Sequence, residues 1–345
     1  MIFDLRHRLS EQWQNTFKKE NIVKLANLTK KTITLAVLCI LVPSSGCQAT
    51  KSANQQPLIA FEQQPNKVII TIDGKPFAHY VYEDSKTIRP YFAHVKTPSG
   101  IQATRNHPPV EGVDAMDHRT YHPGIWLAFG DISGHDYWRM KAKVKHDKFI
   151  KKPKGGRGKG TFTVRNYYMT TDGQGKVCAE VCRYTILVRP AGYLLICDSS
   201  FSSDDADFYF GEQDEMGLGL RVNTKISVKR GNGHITNAEG LKDEGQVRKK
   251  ESDWCDYSGV IDNTRIGMTI MPDPKNSRKS WWHARNSGFM AGNFFGHDRG
   301  KNPTHVKKGE KFHVGYGVLI HSAPADTNVD INAAYQDYVK QTGAL

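Results

Sequence analysis

From about residue 57 to the C-terminus the dominant hydrophobic period is two rather than 3.6, which commits most of the chain to strands. Val68 to Ile72, Phe77 to Tyr82, Thr161 to Met169, Val177 to Val188, Tyr193 to Phe201, Leu218 to Val228, Val260 to Met271 and Phe312 to His321 are rich in β-branched and aromatic residues. Gly, Asp, Asn or Pro bounds each run. Strict alternation puts Phe162, Val164 and Tyr168 on one face, and likewise Tyr184, Ile186 and Val188. So many strands with hardly any helix between them predict an all-β fold, one large antiparallel β-sandwich over 57–345. The only helix expected is short and C-terminal, with Asp330 as N-cap and Ile331, Ala334, Tyr335, Tyr338 and Val339 at helical spacing. With 345 residues, 38% of them hydrophobic and 24% charged, the chain has a core to bury and is neither disordered, a coiled coil nor a membrane channel.

Residues 1–46 read as an export signal and 47–56 as a short tether. Lys18, Lys19, Lys24, Lys30 and Lys31 precede an apolar run from Thr32 to Val42, then Pro43-Ser44-Ser45-Gly46-Cys47. The run is shorter than the roughly 20 residues of a spanning helix. Gly46-Cys47 matches the end of a lipobox, with Ser44 where that motif usually has Leu, so lipidation at Cys47 and simple secretion are both carried forward. Either way the expected location is the periplasm or cell envelope, or outside the cell. Cys178, Cys182, Cys197 and Cys255 are too few and too irregular for a disulfide scaffold or a zinc finger, and are expected as buried thiols.

Between the strands lie segments dense in polar and aromatic residues, and long loops of compact domains commonly carry function. Arg89 to Phe92, Thr104 to Pro108, Asp117 to Trp126, Gly130 to Trp138, Gly211 to Arg221 and Trp281 to Gly288 form the candidate site. Sugar epimerisation, β-elimination and glycoside hydrolysis each need a proton taken at one point and given at another, which His with Glu or Asp provides. His122, His118, Glu212 and Glu215 are the expected catalytic residues, with Asp214 in the same acidic cluster. Arg105 and Arg285 suit an anionic substrate group, Trp126 and Trp138 offer flat faces to a sugar ring, and Asn106, Asp136 and His283 complete the expected substrate contacts. A buried Arg–carboxylate staple and a core Trp are the bland alternatives for each. His118 and His122, with Asp117 or Glu212, also have metal-ligand types. The Pro123-Gly124 that follows argues against a helix and removes the meaning of their spacing, so no cofactor is expected and a divalent metal on these residues is kept as the alternative.

RPYF, DHRTYHPGIWLAFGDISGHDYW, EQDEMGLGLR and WCDYSG together resemble a family of bacterial exported proteins labelled PmoA or methane oxygenase, otherwise a domain of unknown function, over nearly all of 67–320. A true particulate methane oxygenase subunit spans the bilayer several times, and this sequence has no spanning segment, so the oxygenase label does not carry over. The resemblance implies a β-sandwich similar to galactose mutarotase and related sugar-active proteins, with the His and carboxylate segments near its concave face.

Lys plus Arg number 48 against 35 Asp plus Glu, an excess of 13. The densest stretch, Arg139 to Gly160, reads as a lysine-rich edge strand entering a Gly-rich hairpin tip at Gly155, Gly156, Gly158 and Gly160. Export makes nucleic acid an improbable partner for it. Attraction to an acidic polysaccharide or an anionic envelope surface is the functional alternative. Two functions stand: an exported carbohydrate-active enzyme working by His/carboxylate acid–base chemistry on a sugar or polysaccharide, neutral or acidic, and a non-catalytic glycan-binding or envelope-anchored module. The membrane enters only through a lipid anchor.

Overall fold

Residues whose side chains alternate between apolar and polar bury one face of a strand and wet the other, and two such surfaces close on each other here. The computed structural model describes residues 55–296 and 301–343; the expected export signal, Cys47 and most of the tether lie outside them. All strands pair antiparallel. One sheet has nine strands in the order β16 (Trp281–Arg285), β17 (Phe289–Asn293), β12 (Met216–Arg221), β5 (Ile125–Phe129), β4 (Tyr91–Ala93), β3 (Lys75–Val81), β2 (Lys67–Ile72), β1 (Leu58–Gln63) and β7 (Gly156–Arg157). The other has eight, in the order β13 (His234–Asn237), β14 (Cys255–Ile261), β15 (Thr264–Pro272), β19 (Phe312–Pro324), β10 (Gly192–Ser202), β9 (Lys176–Arg189), β8 (Lys159–Met169) and β6 (Val144–Lys154). A two-stranded ribbon joins β11 (Phe208–Phe210) to β18 (Thr304–Val306). The expected antiparallel sandwich is therefore present, and residues from 53 onward form one compact unit.

The core lies between the sheets. Tyr80 and Phe92 of the nine-stranded sheet meet Phe162 and Tyr184 of the other, with ring centroids 5.0 Å apart for Tyr80–Phe162 and Tyr80–Tyr184 and 5.1 Å for Phe92–Tyr184. Val68, Ile70, Val164 and Ile186 fill the spaces around them, each large apolar side chain contributing about 1.5–3 kcal/mol of transfer free energy. The four described cysteines are buried and unbridged.

The outer face of the eight-stranded sheet is covered in part by α2 (Ile331–Thr342), which follows a five-residue helix α1 (Asp243–Val247) in chain order. Asp330 caps α2, accepting from the Ala333 N–H at 2.9 Å, and Gly343 ends it in the left-handed conformation. Ile331, Ala334 and Tyr338 pack on Leu194, Met271 and Leu319. No described helix is long and apolar enough to cross a membrane.

Two expected strands are corrected. The run Val260 to Met271 is a hairpin: Asp262 and Asn263 have φ of 48° and 56°, the positive values a two-residue reversal requires, so the strand breaks there. The run Leu218 to Val228 stops at Arg221, because the Asn223 side chain accepts from the Lys225 N–H at 3.0 Å and starts a single 3-10 turn.

Candidate functional site

Most side chains on β5, β12, β16 and β17 are buried on both faces of the sheet. On the outer face, Trp126 of β5 and Phe289 of β17 join Tyr91, Ala93, Ala128, Trp138 and Ala291 in an apolar cluster separate from the core. β12 runs between those two strands and carries Gly219 at the crossing. A Cβ there would stand 2.6 Å from Trp126 and 2.9 Å from Trp138, so this glycine is the space that the two indoles occupy.

His122 lies on this aromatic floor. Its ring stacks on Trp126 and Phe289, with centroids 4.9 and 4.8 Å away, and on its outer side His118 stacks on it at 4.5 Å with the planes 8° apart. The two histidines are brought together by one helical turn, closed by the His122 N–H donating to the His118 carbonyl at 3.3 Å. Pro123-Gly124 prevents the turn from becoming a helix, yet the four-residue spacing keeps its meaning for one turn, which corrects the reading made from the sequence. Only 4% of His122 is exposed, its Nδ1 has no partner, and its pKa falls well below the ordinary histidine value. Burial is the main cause, followed by His118 and the cations Arg221, Arg89 and Arg105. His122 is therefore a neutral imidazole with an unsatisfied ring nitrogen.

Buried arginines hold the turn. The Arg105 guanidinium, 1% exposed, donates to the carbonyls of Ala115 and Asp117 at 2.7 Å and of His118 and His122 at 3.1 Å. Arg89 donates to the carbonyls of Tyr121, Tyr137 and Trp138 and lies 5.5 Å from the Trp126 ring centroid. Arg221 grips Asp117 in bidentate fashion at 2.7 and 2.9 Å, and Asp117 in turn meets His118 Nδ1 at 2.9 Å. Partial burial opposes ionisation of Asp117, but the Arg221 fork and His118 prevail and hold its pKa down to about 2.

With the histidine pair, Glu215, His283, Arg285 and Glu244 line a cavity of about 420 Å³ whose wall also includes Trp138, Arg139, Arg221, Lys229 and Phe289. Arg139 pairs with Glu215 at 2.6 Å and with Asp136 at 3.1 Å, so the expected Asp136 acts on the site through Arg139. His283 Nδ1 donates to the Asp214 carbonyl at 3.1 Å and its Nε2 accepts from Arg285 Nε at 3.3 Å, which fixes the tautomer. Burial holds its pKa below the usual histidine value. Arg285 also pairs with Glu244 at 2.7 Å, and Glu244 accepts from the Asn286 N–H at 3.0 Å.

The fold thus brings together His118, His122, Glu215, Trp138, His283 and Arg285 from four separated segments. It takes Glu212 elsewhere: this buried carboxylate accepts from the Asn302 N–H at 3.0 Å and lies 3.6 Å from Arg278, anchoring a distant loop. Arg105 is engaged by carbonyls, Trp126 lies beneath His122, and Asn106 donates to Asp114 at 2.8 Å, so none of these three lines the cavity. Arg139, Arg221, Lys229 and Glu244 join the site without having been picked out as site residues. Among the described residues no group of three or more His, Cys, Asp or Glu side chains could hold a metal ion. The stacked imidazoles also point their in-plane lone pairs in parallel, so they do not converge on a common ion.

Comparison with solved structures finds a galactose mutarotase-like protein from Lactobacillus casei, 9% identical, covering 76% of this chain and 100% of that one with a TM-score of 0.39. The GH36 alpha-galactosidase AgaA from Geobacillus stearothermophilus is 11% identical over 77% of this chain and 41% of its own, with a TM-score of 0.41. The heparan sulfate lyase HepC from Pedobacter heparinus is 9% identical over 79% and 36%, with a TM-score of 0.33. The chain thus spans the whole of the first of these and less than half of the other two. Comparison with curated proteins gives no match. Residues 67–336 match the family of unknown function DUF6807, and the chain belongs to that family.

Proposed function

We propose that this chain is an exported carbohydrate-active enzyme that uses His122, His118 and Glu215 for proton transfer on a sugar or glycan, with His283 as a substrate contact, by hydrolase, lyase or epimerase chemistry. The observation that carries the reading is the convergence of these four groups on one cavity with Trp138 and Phe289 in its wall. A neutral His122 with an unpartnered Nδ1 and a carboxylate steered by Arg139 line the same cavity, and they are the two residue types that acid–base chemistry needs. Trp138 and Phe289 give the cavity an apolar wall, while Arg285 and Lys229 suit an acidic substituent on the substrate. No cofactor enters this scheme.

A second reading, a non-catalytic glycan-binding module, is favoured by one observation: burial holds His122 and His283 below the ordinary histidine range, so neither readily takes up a proton. Incubating the full chain with neutral, uronic and sulfated glycans separates the two. New products by mass spectrometry support the enzyme; saturable binding without product supports the module. Export and lipidation at Cys47 rest on the leader sequence, and the intact mass of envelope-extracted protein tests them.

A further inference from the structure

Apart from Arg139, the lysine-rich stretch that runs on to Gly160 lines no part of the candidate cavity. It borders a second concavity, of about 450 Å³, on the outer face of the opposite, eight-stranded sheet. Lys151 of β6 stands opposite Thr163 of β8, Thr163 opposite Arg183 of β9, Arg183 opposite Asp198 of β10, and Asp198 opposite Gly315 of β19. This row crosses five neighbouring strands, about 19 Å at an interstrand spacing of roughly 4.8 Å. A parallel row places Thr161, Thr185 and Ile196 side by side. The middle of the groove is deep, since Thr163 and Thr185 are only 7% and 8% exposed, whereas Lys151 and Lys159 at its rim are exposed. The C-terminal end of α2 closes it through Gln341 and Thr342.

The charges in the groove are unequally satisfied. Asp198 is engaged by Arg183 at 2.6 Å, and Asp273 accepts from the Lys275 N–H at 2.9 Å. Lys151 and Lys159 have no acidic partner among the described residues, Lys275 donates to the Thr342 carbonyl at 2.6 Å and helps to lower the pKa of Asp273, and Lys148, Lys152 and Lys154 continue the positive rim along β6. We propose that this groove binds an acidic polysaccharide chain, its anionic groups on Lys151 and Lys159 and its hydroxyls on the threonine rows, at a site separate from the candidate catalytic cavity. The other polyanions fit less well. A single-stranded nucleic acid calls for aromatic platforms, and His313 is the only ring among the lining residues. A membrane surface is too flat to reach the buried threonines.

The test measures binding of the full chain to polygalacturonate, with dextran, an oligo(dT) strand and phosphatidylglycerol vesicles as comparisons. The expected result is saturable, salt-sensitive binding of polygalacturonate in preference to the other three, weakened about tenfold or more by K151A/K159A and left within about twofold by K75A/K86A, a control pair of exposed lysines on β3 of the other sheet and in the β3–β4 connection. H122A is expected to leave this binding unchanged, which separates the groove from the catalytic reading. Absence of polygalacturonate binding, tighter binding of oligo(dT) or vesicles, or equal weakening by both lysine pairs would each overturn the proposal. The altered lysines are surface residues, and an unchanged far-UV and near-UV circular dichroism spectrum confirms that each variant is folded.

Discussion

His118 and His122 lie face to face, 4.5 Å apart, with the outer ring exposed to the cavity mouth and the inner ring buried against Trp126 and Phe289. The pair gives the inner imidazole an apolar bed and a cationic surround, both of which favour its neutral form. That relationship connects the acid–base reading to measurable stability.

His122 and His283 are both held below the ordinary histidine range by burial, and burial takes His107 down to about 4. As pH falls through about 6.5 the unfolded chain binds protons that the folded chain refuses, so stability declines with falling pH, by up to about 1.4 kcal/mol per pH unit for each such group. Thermal unfolding near pH 7 and near pH 5 is expected to give the lower midpoint at the acid value, and His122→Phe is expected to narrow the gap. Asp117 adds a lower window: its folded pKa of about 2 gives a contribution present above the ordinary carboxylate range and lost as pH falls through that value.

Gly219→Ala puts a methyl group into the space of two indoles, with Trp126 at 2.6 Å. A loss of about 1–3 kcal/mol in urea unfolding is expected, because a packed β5–β12–β17 face yields little.

Arg105→Met removes the donors of four carbonyls while leaving the aliphatic volume in place. Stability is expected to fall by more than about 3 kcal/mol, since buried acceptors lose their partners. Arg105→Lys is expected to recover little of it, because one ammonium does not reproduce a planar fork. Urea unfolding of the two variants checks this.

Much of the fold was legible because most of β2, β3, β8, β9, β10 and β19 fall on alternating or β-branched runs, and the Asp330 cap announced α2. The strands beneath the site were not. β5, β16 and β17 are covered on both faces, by the core inside and the Trp126–Trp138–Phe289 cluster outside, so IWLAF, WWHAR and FMAGN lose the alternation that marks a half-exposed strand. The candidate segments were visible as residue types, but not which way each side chain points. Glu212 and Glu215 lie in the irregular bend before β12, where spacing in sequence does not set the direction of a side chain, and only Glu215 reaches the cavity. Arg105 had the chemistry of a substrate clamp, and nothing local revealed that four carbonyls of one turn would converge on it. Glu244 was hidden in a short polar helix that matters only because Asn286 and Arg285 fold back onto it.

The most direct test of the central claim compares product formation on the glycan that the chain converts, for the unaltered chain and for His122→Asn, Glu215→Gln and Glu212→Gln. The account predicts that the first two substitutions reduce kcat by about two orders of magnitude or more, while Glu212→Gln leaves kcat and KM unchanged and costs only about 1–3 kcal/mol of stability. Full turnover by folded His122→Asn and Glu215→Gln, or loss of turnover in folded Glu212→Gln alone, would contradict it.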